Sequence, residues 1–205
     1  AREQPAVVIN CAAWTDVDGC QSNPEKSLQV NGSAVGILAH EANNVGARLV
    51  QISTDYVFDG TKKEPYTETD LPNPLSVYGK SKLLGESLAG PKALIVRTSW
   101  LMGPDAPNML RTILALLDGD GDLNFVDDQV GCPTFVDDLA AGLLCLVEAH
   151  ATGHFHLTNA DPISWFGFAQ EVAQASGHDP KRVLPVSASG LTLSRPAPRP
   201  ANSVL

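Results

Sequence analysis

Positive charge is scarce in this 205-residue chain: 14 Lys and Arg stand against 23 Asp and Glu, a formal net charge of -9. That balance argues against general binding to nucleic acid or to an anionic membrane surface. It leaves room for an anionic ligand held by a local patch of donors. Long apolar runs are also missing, and none approaches the roughly 18 residues of a membrane span. The four cysteines, Cys11, Cys20, Cys132 and Cys145, make no CxxC pair and no metal-ligand spacing. Free thiols in a reducing cytosol are expected, with no metal site. The opening Ala1-Arg2-Glu3-Gln4-Pro5 lacks signal-peptide character, so the expected location is cytoplasmic. Internal repeats are absent too, and Asn31-Gly32-Ser33, a formal glycosylation acceptor, carries no meaning in a cytosolic chain.

Three short apolar runs are present, Ala6–Ile9, Ala47–Ile52 and Ala93–Val96. They are rich in Val, Ile and Leu without polar alternation, as parallel strands covered on both faces require. Between the first two, residues Pro24 to Asn43 read as a helix. Pro24 suits its first turn, and Asn43-Asn44 with Gly46 suits its end. A loop rich in Pro, Asp and Thr (Asp59–Pro74) and a helix from Tyr78 to Leu88 separate the second and third runs. The alternation predicts an α/β fold with right-handed parallel crossovers.

Further along, helices are expected over Asn108–Leu117, Val136–Ala149 and Ser164–Ser176, and a strand over His154–Thr158. The acidic turn Asp118–Asp122 resembles a calcium loop only at its start, because position 12 falls on Gln129 instead of a bidentate Glu. His154 and His156 share one side of their strand, where a core or surface role outweighs metal binding. Trp165, Phe166 and Phe168 are expected to pack a small lobe. Ser194–Leu205, with Pro196, Pro198 and Pro200, reads as an extended tail.

The chemistry centres on Tyr78-Gly79-Lys80-Ser81-Lys82, which sets Tyr78 and Lys82 on one helix face. A phenol near its ordinary pKa of about 10 is a poor acid or base at neutral pH. A neighbouring ammonium would lower that value and tune the tyrosine for proton transfer. A solvated surface pair is the plainer alternative. Ser53–Gly60 follows the second strand directly, and the C-terminal ends of parallel strands are where α/β folds bind ligands. There Thr54 could orient a carbonyl, or the Ser-Thr-Asp cluster could simply start a turn. Asn10–Thr15 and Arg97–Trp100 follow the other two strands with small or polar residues.

Thr54, Tyr78 and Lys82 resemble the Ser/Thr–Tyr–Lys triad of the short-chain dehydrogenase/reductase superfamily. Within it, the strings Val8–Ala13, Ser53–Gly60, Pro74–Lys82, Arg97–Trp100, Val126–Thr134 and Arg195–Pro200 resemble the dTDP-4-dehydrorhamnose reductases. The resemblance implies a Rossmann-like parallel sheet with a small C-terminal substrate-binding lobe. Residues 1–100 and 132–160 would belong to the dinucleotide-binding part, and 101–131 and 161–205 to the lobe. It implies hydride transfer from NADPH or NADH to the 4-keto carbon of a dTDP-linked sugar. Tyr78 would donate the proton, Thr54 would stabilise the alkoxide, and Lys82 would hold the nicotinamide ribose and depress the tyrosine pKa. Ala12, Ala13, Trp14 and Ser53 would line the cofactor, and Asp55 and Trp100 would contact the sugar. Arg199, with Arg195 beside it, could meet the diphosphate through a guanidinium fork. A complete member opens with a strand and a Gly-rich turn that this sequence lacks, and Ala6–Ile9 is read as the fourth strand of the sheet. A homodimer is among the assemblies the sequence allows. The competing readings are a non-catalytic regulatory relative, a nucleotide-sugar epimerase or dehydratase, and an inactive structural fragment.

Overall fold

The computed structural model describes residues 3–191 and 195–205. Ala1 and Arg2 of the opening segment and Ser194 of the tail therefore lie outside the described residues. In chain order the elements are β1 (Val7–Asn10), α1 (Val17–Ser22), α2 (Pro24–Leu28), α3 (Ala34–Asn44), β2 (Arg48–Thr54), α4 (Val77–Leu88), β3 (Leu94–Thr98), β4 (Leu101–Met102) and α5 (Met109–Leu117). They continue with β5 (Leu123–Val126), β6 (Val130–Gly131), β7 (Thr134–Phe135), α6 (Val136–Glu148), β8 (Gly153–His156), β9 (Ile163–Ser164), α7 (Trp165–Ala175) and β10 (Val183–Val186). A π-helical turn, Gln29–Ser33, joins α2 to α3, so the predicted helix over 24–43 is continuous but locally widened.

One four-stranded sheet, in the order β1-β2-β3-β8, is parallel throughout. The apolar runs of β2 and β3 are buried because helices lie on both faces, whereas β1 at the sheet edge leaves Val7 and Val8 half-buried and Ile9 exposed. Val35, Ala39 and Ala42 of α3 pack with Leu49 and Ile95 on one face. Leu139 and Leu143 of α6 pack with Val50, Leu94 and Val96 on the other. Each fully buried Val or Leu side chain contributes about 1.5–3 kcal/mol, which makes β2 and β3 the rigid centre. A separate core joins α5, α7, β5 and β10 through Ile113, Leu117, Phe125, Phe168, Val172 and Val183, with Trp165 and Phe166 packed against it. Trp165, Phe166 and Phe168 thus pack together in this second core. Its parallel β5–β10 pair is an addition to the predicted elements, as are α1 and the two-residue strands.

The tail segment is extended and well tied. The Ser203 N–H donates to the Val130 carbonyl at 2.8 Å, and the Tyr66 N–H donates to the Val204 carbonyl at 2.8 Å. All four cysteines are free thiols. Among the described residues no helix is long and apolar enough to cross a membrane.

Candidate active site

The ends of β1, β2 and β3 and the first turns of α4 surround a cavity of about 400 Å³. Of the residues singled out from the sequence, Ala13, Ser53, Thr54, Asp55, Tyr78, Lys82 and Trp100 line it. Ala12, Trp14 and Arg199 do not. A larger hollow of about 710 Å³ lies by the ends of α3 and α4 and the start of β2, among Ala39, Ala42, Gly46, Ala47, Ala89 and Gly90. With only Arg48 and Lys92 as ionisable neighbours, it has no acid–base pair and is the poorer candidate.

Local sequence explains how the Tyr78–Lys82 face is built. The Ser76 hydroxyl accepts the Gly79 N–H at 3.1 Å and caps α4; such a cap stabilises a helix start by about 1 kcal/mol. Gly79 has no side chain, which matters because a Cβ there would overlap the Tyr56 carbonyl oxygen and meet Pro74 Cβ at 2.9 Å. The first turn of α4 can therefore sit against the short 3-10 turn Asp55–Val57. The Tyr78 and Tyr56 rings meet edge to face, 5.5 Å apart. The π-helical turn supplies the other brace. Asn31, fully buried, accepts the Trp14 N–H at 2.8 Å and donates to the Trp14 carbonyl at 3.0 Å and to Ser81 Oγ at 3.1 Å. The loop after β1 is thereby fastened to α4. Trp14 itself lies under the Lys26 ammonium, 4.3 Å from its ring centre, which takes it out of the cavity wall.

Thr54 ends β2 and pairs in register with Thr98 at the end of β3. Its hydroxyl donates to Asp55 Oδ1 at 2.9 Å and accepts the Tyr56 N–H at 3.2 Å. Asp55 Oδ2 and Thr98 Oγ1 are buried without a hydrogen-bond partner, an arrangement that costs free energy and marks a polar site. Burial pushes the Asp55 carboxyl up to about 6, against the Ser203 and Thr54 hydroxyls that pull it down.

The expected depression of the Tyr78 pKa by Lys82 is corrected by the geometry. Burial raises the phenol well above its ordinary range, and the Thr54 hydroxyl is the main opposing influence. The Lys82 ammonium donates to the Ile52 carbonyl at 2.7 Å. Burial also brings it down, to about 8, with the Glu86 carboxylate opposing. A phenol kept protonated is the state that a proton donor requires.

Two further assignments shift. Ser53 borders the cavity, but its hydroxyl donates to Glu86 Oε1 at 2.5 Å. The Arg199 fork lies on Asp18, at 2.8 Å to Oδ1 and 2.6 Å to Oδ2, so a diphosphate would have to compete with that carboxylate. Trp165, expected from sequence only to pack the small lobe, also takes part. Trp165 stacks on Trp100 with ring centres 3.5 Å apart and planes 6° apart. Trp100 holds that pose with φ +46°, a left-handed backbone that costs a non-glycine residue about 1 kcal/mol or more. Glu86 could have been found by extending the Tyr78–Lys82 face one more turn, whereas nothing in the sequence announced the Trp165 partnership.

Comparison with known proteins agrees with this construction. The family model for the RmlD substrate binding domain matches residues 1–205. The chain is 44% identical over 208 residues to a dTDP-4-dehydrorhamnose reductase of Mycobacterium tuberculosis, an alignment covering 97% of this chain and 68% of that protein. It superposes on a dTDP-4-dehydrorhamnose reductase of Clostridium acetobutylicum with a TM-score of 0.94 and 45% identity, covering 99% of this chain and 72% of the other. A Bacillus anthracis dTDP-4-dehydrorhamnose reductase solved in complex with NADP gives a TM-score of 0.92 and 35% identity, covering 98% and 72%. By sequence and by fold, the chain belongs to the RmlD substrate binding domain family.

Proposed function

We propose that this chain carries the proton-delivering and sugar-holding part of a reductase that converts dTDP-6-deoxy-L-lyxo-4-hexulose to dTDP-L-rhamnose at the expense of NADPH or NADH. The observation that carries the reading is the convergence of Thr54, Tyr78 and Lys82 on one cavity at the ends of a parallel sheet. The relatives named above as dTDP-4-dehydrorhamnose reductases, at 44% and 45% identity, support it. The residues fit a nicotinamide cofactor: Ala13 leaves room beside the Lys82 ammonium, which can hold a ribose hydroxyl, and both border the cavity. The cofactor supplies the hydride that reduces the ketone carbon.

Tyr78 donates its phenolic proton to the ketone oxygen as negative charge builds there, so the ketone leaves as an alcohol. Thr54 orients the same oxygen through its hydroxyl. Lys82 stays on the same helix face, one turn beyond the phenol, and holds a positive charge beside the cavity. Asp55 and Trp100 contact the sugar, with Trp165 backing Trp100. Residues 1–100 and 132–160 serve the dinucleotide, and 101–131 and 161–205 form the substrate lobe. The separate apolar core of α5, α7, β5 and β10 supports that division.

The test uses the full-length protein with NADPH and the dTDP-linked 4-keto sugar, following loss of nicotinamide absorbance and identifying the product. One NADPH consumed for each dTDP-L-rhamnose formed is expected. Binding of NADPH without oxidation would instead indicate a non-catalytic relative, and tightly retained cofactor without net consumption an epimerase.

A further inference from the structure

Tyr78, Lys82 and Glu86 follow one another at four-residue spacing along α4 and so share a face of the helix. The proposed reaction employs the first two. Glu86 is as buried as they are, only 6% exposed, and it is gripped from three strands. Ser53 on β2 donates to its Oε1 at 2.5 Å, and Arg97 on β3 donates through Nε at 3.0 Å and a terminal nitrogen at 2.7 Å. His154 on β8 approaches its Oε2 at 3.5 Å. Lys82, one turn earlier, has a neutral carbonyl as its hydrogen-bond acceptor. A buried ammonium without a nearby negative charge tends to lose its proton. Cys11, beyond β1, and Glu86 are the acidic groups that act on it.

We infer that Glu86 is a positioning residue of the Tyr78–Lys82 site: its carboxylate keeps the Lys82 ammonium charged and clamps α4 to the strands whose ends carry Thr54 and Thr98. The kinetic side of this inference rests on the reductase reading; the electrostatic side does not. Ser53 and Ile52 sit side by side in β2, so one strand holds both Glu86 and Lys82, and a shift of either side chain is felt by the other. The Glu86–Arg97 pair is bidentate, the geometry that fixes orientation best. Arg97 and His154 reach Lys82 through Glu86. They set the carboxylate, which burial alone would raise but which these partners and Ser53 bring down to about 2.

The test is a side-chain 15N titration of Lys82 in the full-length protein without cofactor, the signal assigned with Lys82→Arg. Glu86→Gln leaves the Arg97 guanidinium buried without its counter-charge and risks misfolding. The double variant E86Q/R97M removes both charges together, and R97M alone retains the carboxylate. The Lys82 midpoint is expected to fall by about one pH unit or more in E86Q/R97M, and not to fall in R97M. The alkaline limb of the pH–kcat profile is expected to move down by the same amount. An unchanged midpoint in the double variant overturns the inference, as does a loss of kcat with an unmoved alkaline limb. Wild-type protein that never oxidises NADPH would refute the reductase reading while leaving the titration result standing.

Discussion

Asp55 offers a sharp energetic prediction, because its carboxylate is deep in the protein with half of its acceptors unmet. One oxygen accepts from Thr54 at 2.9 Å; the other has no partner in hydrogen-bond geometry, because the Ser203 hydroxyl that acts on the group donates to the Val130 carbonyl. Burial raises the group from 3.8 to about 6, a difference of about two units, each equivalent to 1.36 kcal/mol. The direction follows from linkage. Below about pH 3 the acid is protonated in folded and unfolded chains alike, and its contribution is fully present. As pH climbs toward about 6 the unfolded chain ionises first, and stability is lost until the folded acid also ionises. Asp55→Asn removes this penalty. The variant should match the wild type near pH 3 and exceed it by up to about 3 kcal/mol at pH 7.5. Urea denaturation of both proteins at several pH values measures the gap. Other carboxylates titrate equally in the two, so the difference isolates Asp55. Parallel stability curves across the whole range would refute the reasoning. The same exchange is expected to slow turnover, since the carboxyl borders the reaction cavity and such sites trade stability for activity.

Gly79→Ala should drive a methyl group into the Tyr56 carbonyl and Pro74. A cost of about 1–3 kcal/mol is expected, lowering Tm by about 3 °C for each kcal/mol, with slower turnover as Tyr78 is displaced; an unchanged Tm contradicts the packing argument. Trp100→Ala removes the stack on Trp165. It should raise KM for the sugar nucleotide more than it lowers kcat, and weaken the near-ultraviolet circular dichroism, whereas a pure kcat effect would place Trp100 in the wrong role.

How much of this could be read from sequence depends on the kind of force involved. β2 and β3 were legible because strands covered on both faces must be continuously apolar, as Leu49, Val50, Leu94 and Val96 are; β1 carries the same signal although its Ile9 is exposed. The Tyr78–Lys82 face was legible because helical spacing is local. The π-helical turn at Asn31 was not: widening a helix by one residue leaves no periodic trace, and the string there read only as a glycosylation acceptor. Strands β5 and β10 are four residues each, with exposed positions and Pro185 interrupting the second. They become a sheet only because sequence-distant segments meet. The pKa of Tyr78 was read in the wrong direction for a similar reason. The ammonium is visible in the motif, but the desolvation that outweighs it comes from surroundings assembled out of the whole chain. Nothing in the sequence marks Glu86, and Arg97 reads only as part of a polar strand end, until the strands bring Ser53, Arg97 and His154 onto the α4 carboxylate.

The central claim is that the Tyr78 phenol delivers the proton to the reduced ketone. Single-turnover oxidation of NADPH by the full-length enzyme, compared with Tyr78→Phe at saturating cofactor and sugar, tests it most directly. A rate lower by about 10²–10⁴-fold with NADPH affinity unchanged is expected; equal single-turnover rates in the two proteins would contradict proton delivery by Tyr78.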